Sequence, residues 1–154
     1  MTRLRALGGR VRHDDEGQLL LLILVYTVIA GVLVTVVVNL STAYLYRRAL
    51  MGAADGAAVA AANVPDLAKV YAGTDTAVLP LGASEAAVET YASDGRLDQR
   101  FDGFEVVSVT TDGATVTVTL RATAHLPFLN LVSSRYAEGY PVQATATARS
   151  PFLP

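Results

Sequence analysis

The sequence contains no cysteine and no tryptophan, a single lysine (Lys69) and two histidines (His13 and His125). The missing thiols exclude disulfides and thiolate metal sites, so any domain outside a reducing compartment is held by packing or by partners. Two histidines far apart in the chain exclude a histidine-rich metal site. Charge of either sign is not in excess: 12 basic and 14 acidic residues leave a net charge of −2. The bases beyond Arg48 are scattered as Lys69, Arg96, Arg100, Arg121, Arg135 and Arg149. A phosphate-binding face needs clustered Lys and Arg, so nucleic acid is not an expected partner. At 154 residues, the length suits one domain rather than two.

Charge is also missing locally, with none from Gly17 to Tyr46. Within that stretch Leu19–Leu40 reads LLLLILVYTVIAGVLVTVVVNL. About 20 such residues suffice for a helix to cross the hydrocarbon core of a bilayer. Valine is a poor helix former in water, but in lipid every backbone group must be bonded within the span, so a lone span is helical. Arg3, Arg5, Arg10 and Arg12 precede it and only Arg47 and Arg48 follow closely. That bias predicts a cytoplasmic N-terminus and an extracytoplasmic C-terminal domain. A cleaved secretory signal is the competing reading; its apolar core would be shorter, about 7–15 residues, and would end near a small-x-small site, and Asn39–Tyr44 offers no good one.

The helical pattern continues past Leu40 through an Ala-rich stretch with no proline before Pro65. One helix is expected from about Glu16 to Asn63, ended by the residues before Pro65. Glycine disfavours a helix interior, so Gly52 and Gly56 suggest close packing. Gly52, Gly56 and Ala60 recur every fourth residue, as do Ala49, Ala53, Ala57 and Ala61. Small residues at that spacing let another backbone approach. A second strip, Thr27, Gly31, Thr35 and Asn39, runs through the apolar part. Gly31, Gly52, Gly56, Ala57 and Ala60 are the candidate packing positions.

Beyond the helix, Val64–Ala83 reads as a loop. Ser84 is the expected N-cap of a short helix to about Ser93, with Glu85 and Glu89 early in it. Gly95 and the acidic stretch after it read as a turn. Glu105–Thr110 and Ala114–Leu120 flank Asp112-Gly113, a strong hairpin signal between β-branched runs. With those two as the turn residues, Val109 faces Val116 and Val107 faces Val118. These valines and Leu120 share a buried face, opposite Thr115, Thr117, Thr119 and Arg121. Val142–Arg149 alternates likewise and predicts a third strand, with Val142, Ala144, Ala146 and Ala148 facing inward. An Ala-lined sheet can approach an Ala-lined helix closely, so the sheet is expected on the Gly52–Ala61 region. The predicted fold class is α+β: a long N-terminal transmembrane helix continuing into a small antiparallel sheet domain, in a pilin-like arrangement.

No Gly-rich phosphate loop, HExxH or GxSxG is present, so no catalytic, cofactor-binding or metal-binding residue is assigned. His13 reads as a solvated residue of the basic tail and His125 as a structural residue at a strand end. Asp94, Asp98, Asp102 and Glu105 cluster around a turn without EF-hand spacing, and read as a solvated acidic loop rather than a calcium site. Leu126–Val132 (LPFLNLV) is an apolar connection that could lie under the sheet, on a membrane or against a partner.

The N-terminal third resembles the TadE/TadG-like proteins of bacterial tight-adherence (Flp) pilus systems. The matching stretches are Asp15–Gln18 before the span, Tyr44–Leu50 after it, and then Ala53–Ala62 with Asp55. The resemblance covers about residues 14–63. It implies a minor pilin or pseudopilin inserted with its N-terminus inside. Some pilin-like proteins are trimmed after a glycine at the cytoplasmic edge of the membrane, which here implies Gly17 and Gln18 as the processing site. Type IV pilins usually carry a glutamate five residues after the cut, and Leu22 stands at that place here. A cleaved chain and an uncut anchor both remain open.

The expected organisation is a cytoplasmic basic tail (1–16), a transmembrane helix (17–40), its extracytoplasmic continuation (41–63) and an extracytoplasmic α+β domain (64–154). The expected function is structural or assembly work in a Tad/Flp-type pilus or secretion apparatus, with no enzyme activity and no cofactor. The alternative is a generic single-pass membrane protein whose external domain binds a ligand or another protein. Expected partners are membrane lipid, other pilus or secretion-system membrane proteins, and a second copy of the chain as a candidate.

Overall fold

The computed structural model describes residues 12–64, 79–127 and 139–151. The chain divides into two compact units, Met1–Leu40 and Ser41–Pro154. Helix α1, Arg12–Ala62, contributes to both. In the first unit it is the only described element, and its apolar side chains are bare: Leu20 is 70% and Leu40 66% exposed. The stretch Gly17–Ala62 carries a window of mean hydropathy 2.9, none of it buried, long and apolar enough to cross a membrane. Leaving that many large apolar side chains uncovered is costly in water and costs little in lipid. The helix ends where expected, with the Asn63 amide donating to the Val59 and Ala60 carbonyls at 3.1 and 3.3 Å.

The second unit is built on the last five to six turns of α1. Leu50, Ala53, Ala54, Ala57, Ala58, Ala61 and Ala62 are buried. Their three- and four-residue spacing puts them on one helix face. Around that face lie α2 (Leu81–Asp94), a single turn α3 (Leu97–Arg100) and strands β1 (Glu105–Thr111), β2 (Thr115–Ala124) and β3 (Tyr140–Arg149). The sheet is antiparallel in the order β1-β2-β3. Its inner face is Val116, Val118, Leu120, Ala122 and Ala124 on β2 with Val142, Ala144 and Ala146 on β3. These residues form one hydrophobic cluster with Ala53, Ala54, Ala57, Ala58 and Ala61 of α1 and with Val88, Leu97 and Phe101. The α+β class expected from the sequence is what the structure shows.

Four local expectations are corrected. Helix α2 begins at Leu81, with Pro80 at the N-cap and no side-chain cap. Ser84, placed in the sequence reading as that cap, is instead buried, and its hydroxyl donates to the Ala61 carbonyl at 3.4 Å. The last turn of a helix leaves its carbonyls unpaired, so Ser84 serves the end of α1. Glu85 and Glu89 accordingly lie beyond the first turn of α2. The stretch after Gly95 is not all turn: Arg96 takes a left-handed conformation (φ 46°) and starts α3.

The hairpin register is also shifted. Val109 pairs with Val118 rather than Val116, and Thr111 with Val116. The cause is the Asp112 carboxylate, whose Oδ1 accepts from the Ala114 and Thr115 amides at 2.9 and 2.6 Å. The connection is Asp112–Ala114, three residues instead of the expected two. Gly113, with φ 94°, supplies the positive dihedral that this loop needs. A two-residue shift keeps parity, so the buried face of β2 survives. On β1 a bulge between Val106 and Ser108 reverses the alternation. Val107, expected inside, is 39% exposed, and Val106 packs on the core in its place.

The outer face is polar as expected. The hydroxyls of Thr117 and Thr147 lie 3.3 Å apart and those of Thr119 and Thr145 3.1 Å apart. Arg121 Nη1 reaches Glu105 at 3.3 Å. With the Gln143 amide turned to face Arg121, its oxygen accepts from Nη2 at 2.8 Å and Nε at 3.0 Å. The sheet therefore turns only one face to the core.

Candidate functional site

The candidate residues lie along α1. In the first unit Gly17 is exposed at the start of the uncharged stretch, in helical conformation, and so is the adjoining Gln18. The Thr27 hydroxyl donates to the Ile23 carbonyl at 2.8 Å and that of Thr35 to the Gly31 carbonyl at 2.9 Å. Both hydroxyls are thus satisfied within the helix, which is how threonine is tolerated in lipid. Gly31 is open: a Cβ built on it would meet nothing within 4 Å.

In the second unit the two small-residue rows have different surroundings. Ala53, Ala57 and Ala61 are buried in the cluster. In the other row, Gly52 is exposed and a Cβ on it would meet nothing, whereas Gly56 lies under the Tyr91 phenol and Ala60 is partly exposed. The sequence reading did not identify the Ala54–Ala58–Ala62 row, which is equally buried. The third-residue spacing from Ala54 to Ala57 and from Ala58 to Ala61 was the available signal.

A feature not found from the sequence sits early in the second unit. The Tyr46 ring meets Phe101 edge-on, with centroids 5.5 Å apart and an interplanar angle of 89°. The Arg100 guanidinium lies over the other part of that contact, 5.4 Å from the Phe101 centroid. Tyr46 Oη is buried and makes no hydrogen bond of good geometry among the described residues. Burial, and next the Asp102 carboxylate, raise its pKa above the ordinary 10.0; the nearby Asp102 backbone amide opposes the rise in part.

The acidic residues of the turn do not converge. Asp94 closes α2, Asp98 lies in α3, and Glu105 pairs with Arg121. Asp102 lies 3.5 Å from His125 Nε2, both largely exposed. Among the described residues no three His, Asp or Glu side chains could share a metal ion. His125 follows the last residue of β2, as the sequence suggested. The tail before Arg12 and residues 128–132 of the LPFLNLV run lie outside the described residues.

A long apolar helix and a one-sided antiparallel sheet make this an α+β protein with one helix long and apolar enough to cross a membrane. Residues 17–64 match the Tad family model, described as "Putative Flp pilus-assembly TadE/G-like". That stretch takes in all of α1 from Gly17 onward, and just under a third of the chain. No curated protein matches the chain, and no solved structure matches it. The matched stretch and the bare apolar helix together support membrane localisation and point to Flp pilus assembly.

Proposed function

We propose that this protein is a membrane-anchored structural or assembly component of a Tad/Flp-type pilus or secretion apparatus, resembling a minor pilin or pseudopilin. The observation that carries the reading is the family match over residues 17–64. In that stretch an uncovered apolar segment continues directly into the helix face on which the sheet domain is built. Residues 1–16 form a cytoplasmic tail, 17–40 the span and 41–63 its extracytoplasmic continuation, and 64–154 make up the rest of the outer domain. The arginine bias across the span supports that orientation. Gly31, which carries no covering side chain, is the position at which a second copy or another pilus component approaches α1. The role is non-catalytic.

Deleting the gene in its native host and imaging the cells tests the assembly role. Flp-type pili should be lost, and restored by the full chain; unchanged piliation sinks the reading. The intact mass and N-terminal sequence of the protein from native membranes decide the processing question. A chain beginning at Gln18 identifies a processed pseudopilin, whereas one retaining residues 1–17 identifies a permanent anchor.

A further inference from the structure

A cleft of about 390 Å³ opens beside the first turns of α1 in the second unit. Leu45, Arg48 and Gly52 form one side of it, and Tyr91, Leu97 and Arg100 line the other. Its volume falls in the range of small-molecule sites. Its polar groups are two guanidiniums and a phenol, and among the described residues no carboxylate lines it. Arg48 and Arg100 are both exposed and make no ion pair with any described residue. Arg100 is held in place by its stacking on Phe101. A second cleft, of about 440 Å³ beside α3, holds Arg96 together with Asp98 and so has no net charge preference.

Two guanidiniums with no acidic partner among the described residues, in a concave site, are the recognition chemistry of a phosphate group, which each can bind in a bidentate fork. Leu45 and Leu97 add apolar wall beside the charges. Only seven residues of chain lie between Arg48 and Leu40, the last residue of the proposed span. On the membrane-anchored reading, the phosphates nearest to Arg48 along the chain are those of lipid headgroups. Gly52 keeps the cleft open, because any side chain at that position would project into it without meeting a neighbour.

We propose that the Arg48–Arg100 cleft binds the headgroup of an anionic phospholipid. The proposal rests on the membrane-anchored reading above. Both guanidiniums bond the phosphate, Tyr91 offers a hydroxyl, and the exposed Leu45 contacts the glycerol end of the acyl chains.

The test uses the full chain in zwitterionic detergent, with native mass spectrometry counting bound phosphatidylglycerol against phosphatidylcholine. The expected result is a preference for phosphatidylglycerol that falls about tenfold or more in R48Q/R100Q, the loss of two charge-assisted contacts. Gly52→Met should abolish it as well. That substitution replaces a helix-weakening residue in open space, so the fold is retained and circular dichroism should be unchanged. Arg47→Gln, which removes the same charge from a side chain outside the cleft, should keep most of the preference. An equal loss in R47Q would mean diffuse surface charge and overturn the cleft. Inorganic phosphate competing at the same affinity as the lipid would overturn the lipid assignment. Flotation with phosphatidylcholine vesicles separates the two levels. A chain that inserts but shows no headgroup preference refutes the cleft alone, and a chain that does not insert refutes the anchor as well.

Discussion

The Tyr91 phenol lies against the Cα of Gly56, in the space that a Cβ there would occupy. The two glycines of the outer helix therefore have opposite physical roles. Alanine at Gly56 forces the aromatic ring away, an overpacking cost of about 1–3 kcal/mol, set against roughly 1 kcal/mol of helix propensity gained. Alanine at Gly52 gains the propensity term with no clash. Thermal unfolding of the full chain in detergent should show G52A melting above the parent and G56A below it. The reverse order would disprove the Tyr91 contact.

The bulge in β1 makes a second prediction. Val106 packs on the core and Val107 faces out. Val106→Thr should cost about 1 kcal/mol, while Val107→Thr should change stability by less than about 0.5 kcal/mol. A regular strand without the bulge would reverse the two, and chemical denaturation of the pair distinguishes the cases.

Asp112 sets the hairpin through two amide contacts that favour its charged form and pull its pKa below 3.8. Its contribution is present above 3.8 and is lost as the pH falls through the lowered value. Asp112→Asn keeps an acceptor but not the charge, so its acid limb of stability should be shallower than the parent's. Asp112→Ala should weaken the hairpin at every pH. Parallel acid limbs for parent and D112N would exclude the carboxylate as the cause.

Tyr46 acts at the other end of the scale. Its raised pKa means that the folded state favours the neutral phenol. That contribution is intact below 10.0 and is lost as the pH rises through the raised value. Tyr46→Phe should remove this alkaline loss. At neutral pH it should leave stability unchanged or raise it by up to about 1 kcal/mol, because the hydroxyl it removes is buried without a good partner. A marked drop at pH 7 would show that the hydroxyl is hydrogen-bonded after all.

Much of the fold was legible because its signals are local. The uncharged run Gly17–Tyr46, the helix continuing to the residues before Pro65, and the alternation in Val116–Leu120 and Val142–Ala148 each follow from neighbours along the chain. The hairpin was legible as well, but its register was not. Asp112-Gly113 carries the same sequence signal for a two-residue turn and for the three-residue loop closed by the carboxylate. The bulge at Val107 has no signature of its own among β-branched residues. Ser84 looked like a cap by its position before a helix, yet the donor it satisfies is its own, and the acceptor lies 23 residues away on Ala61.

The candidate site divides in the same way. The sequence alone determined that small residues recur every fourth position from Ala49 to Ala61, and that an apolar span precedes them. Periodicity within one helix is enough to establish both. Only the tertiary structure decided which row is covered: Ala53, Ala57 and Ala61 by the core, Gly56 by Tyr91, and Gly52 by nothing. It also brought Arg48 and Arg100, and Tyr46 and Phe101, together across more than fifty residues of chain. Which side chains meet across that separation depends on the summed packing of α1, α2 and the sheet, and no local pattern carries that information.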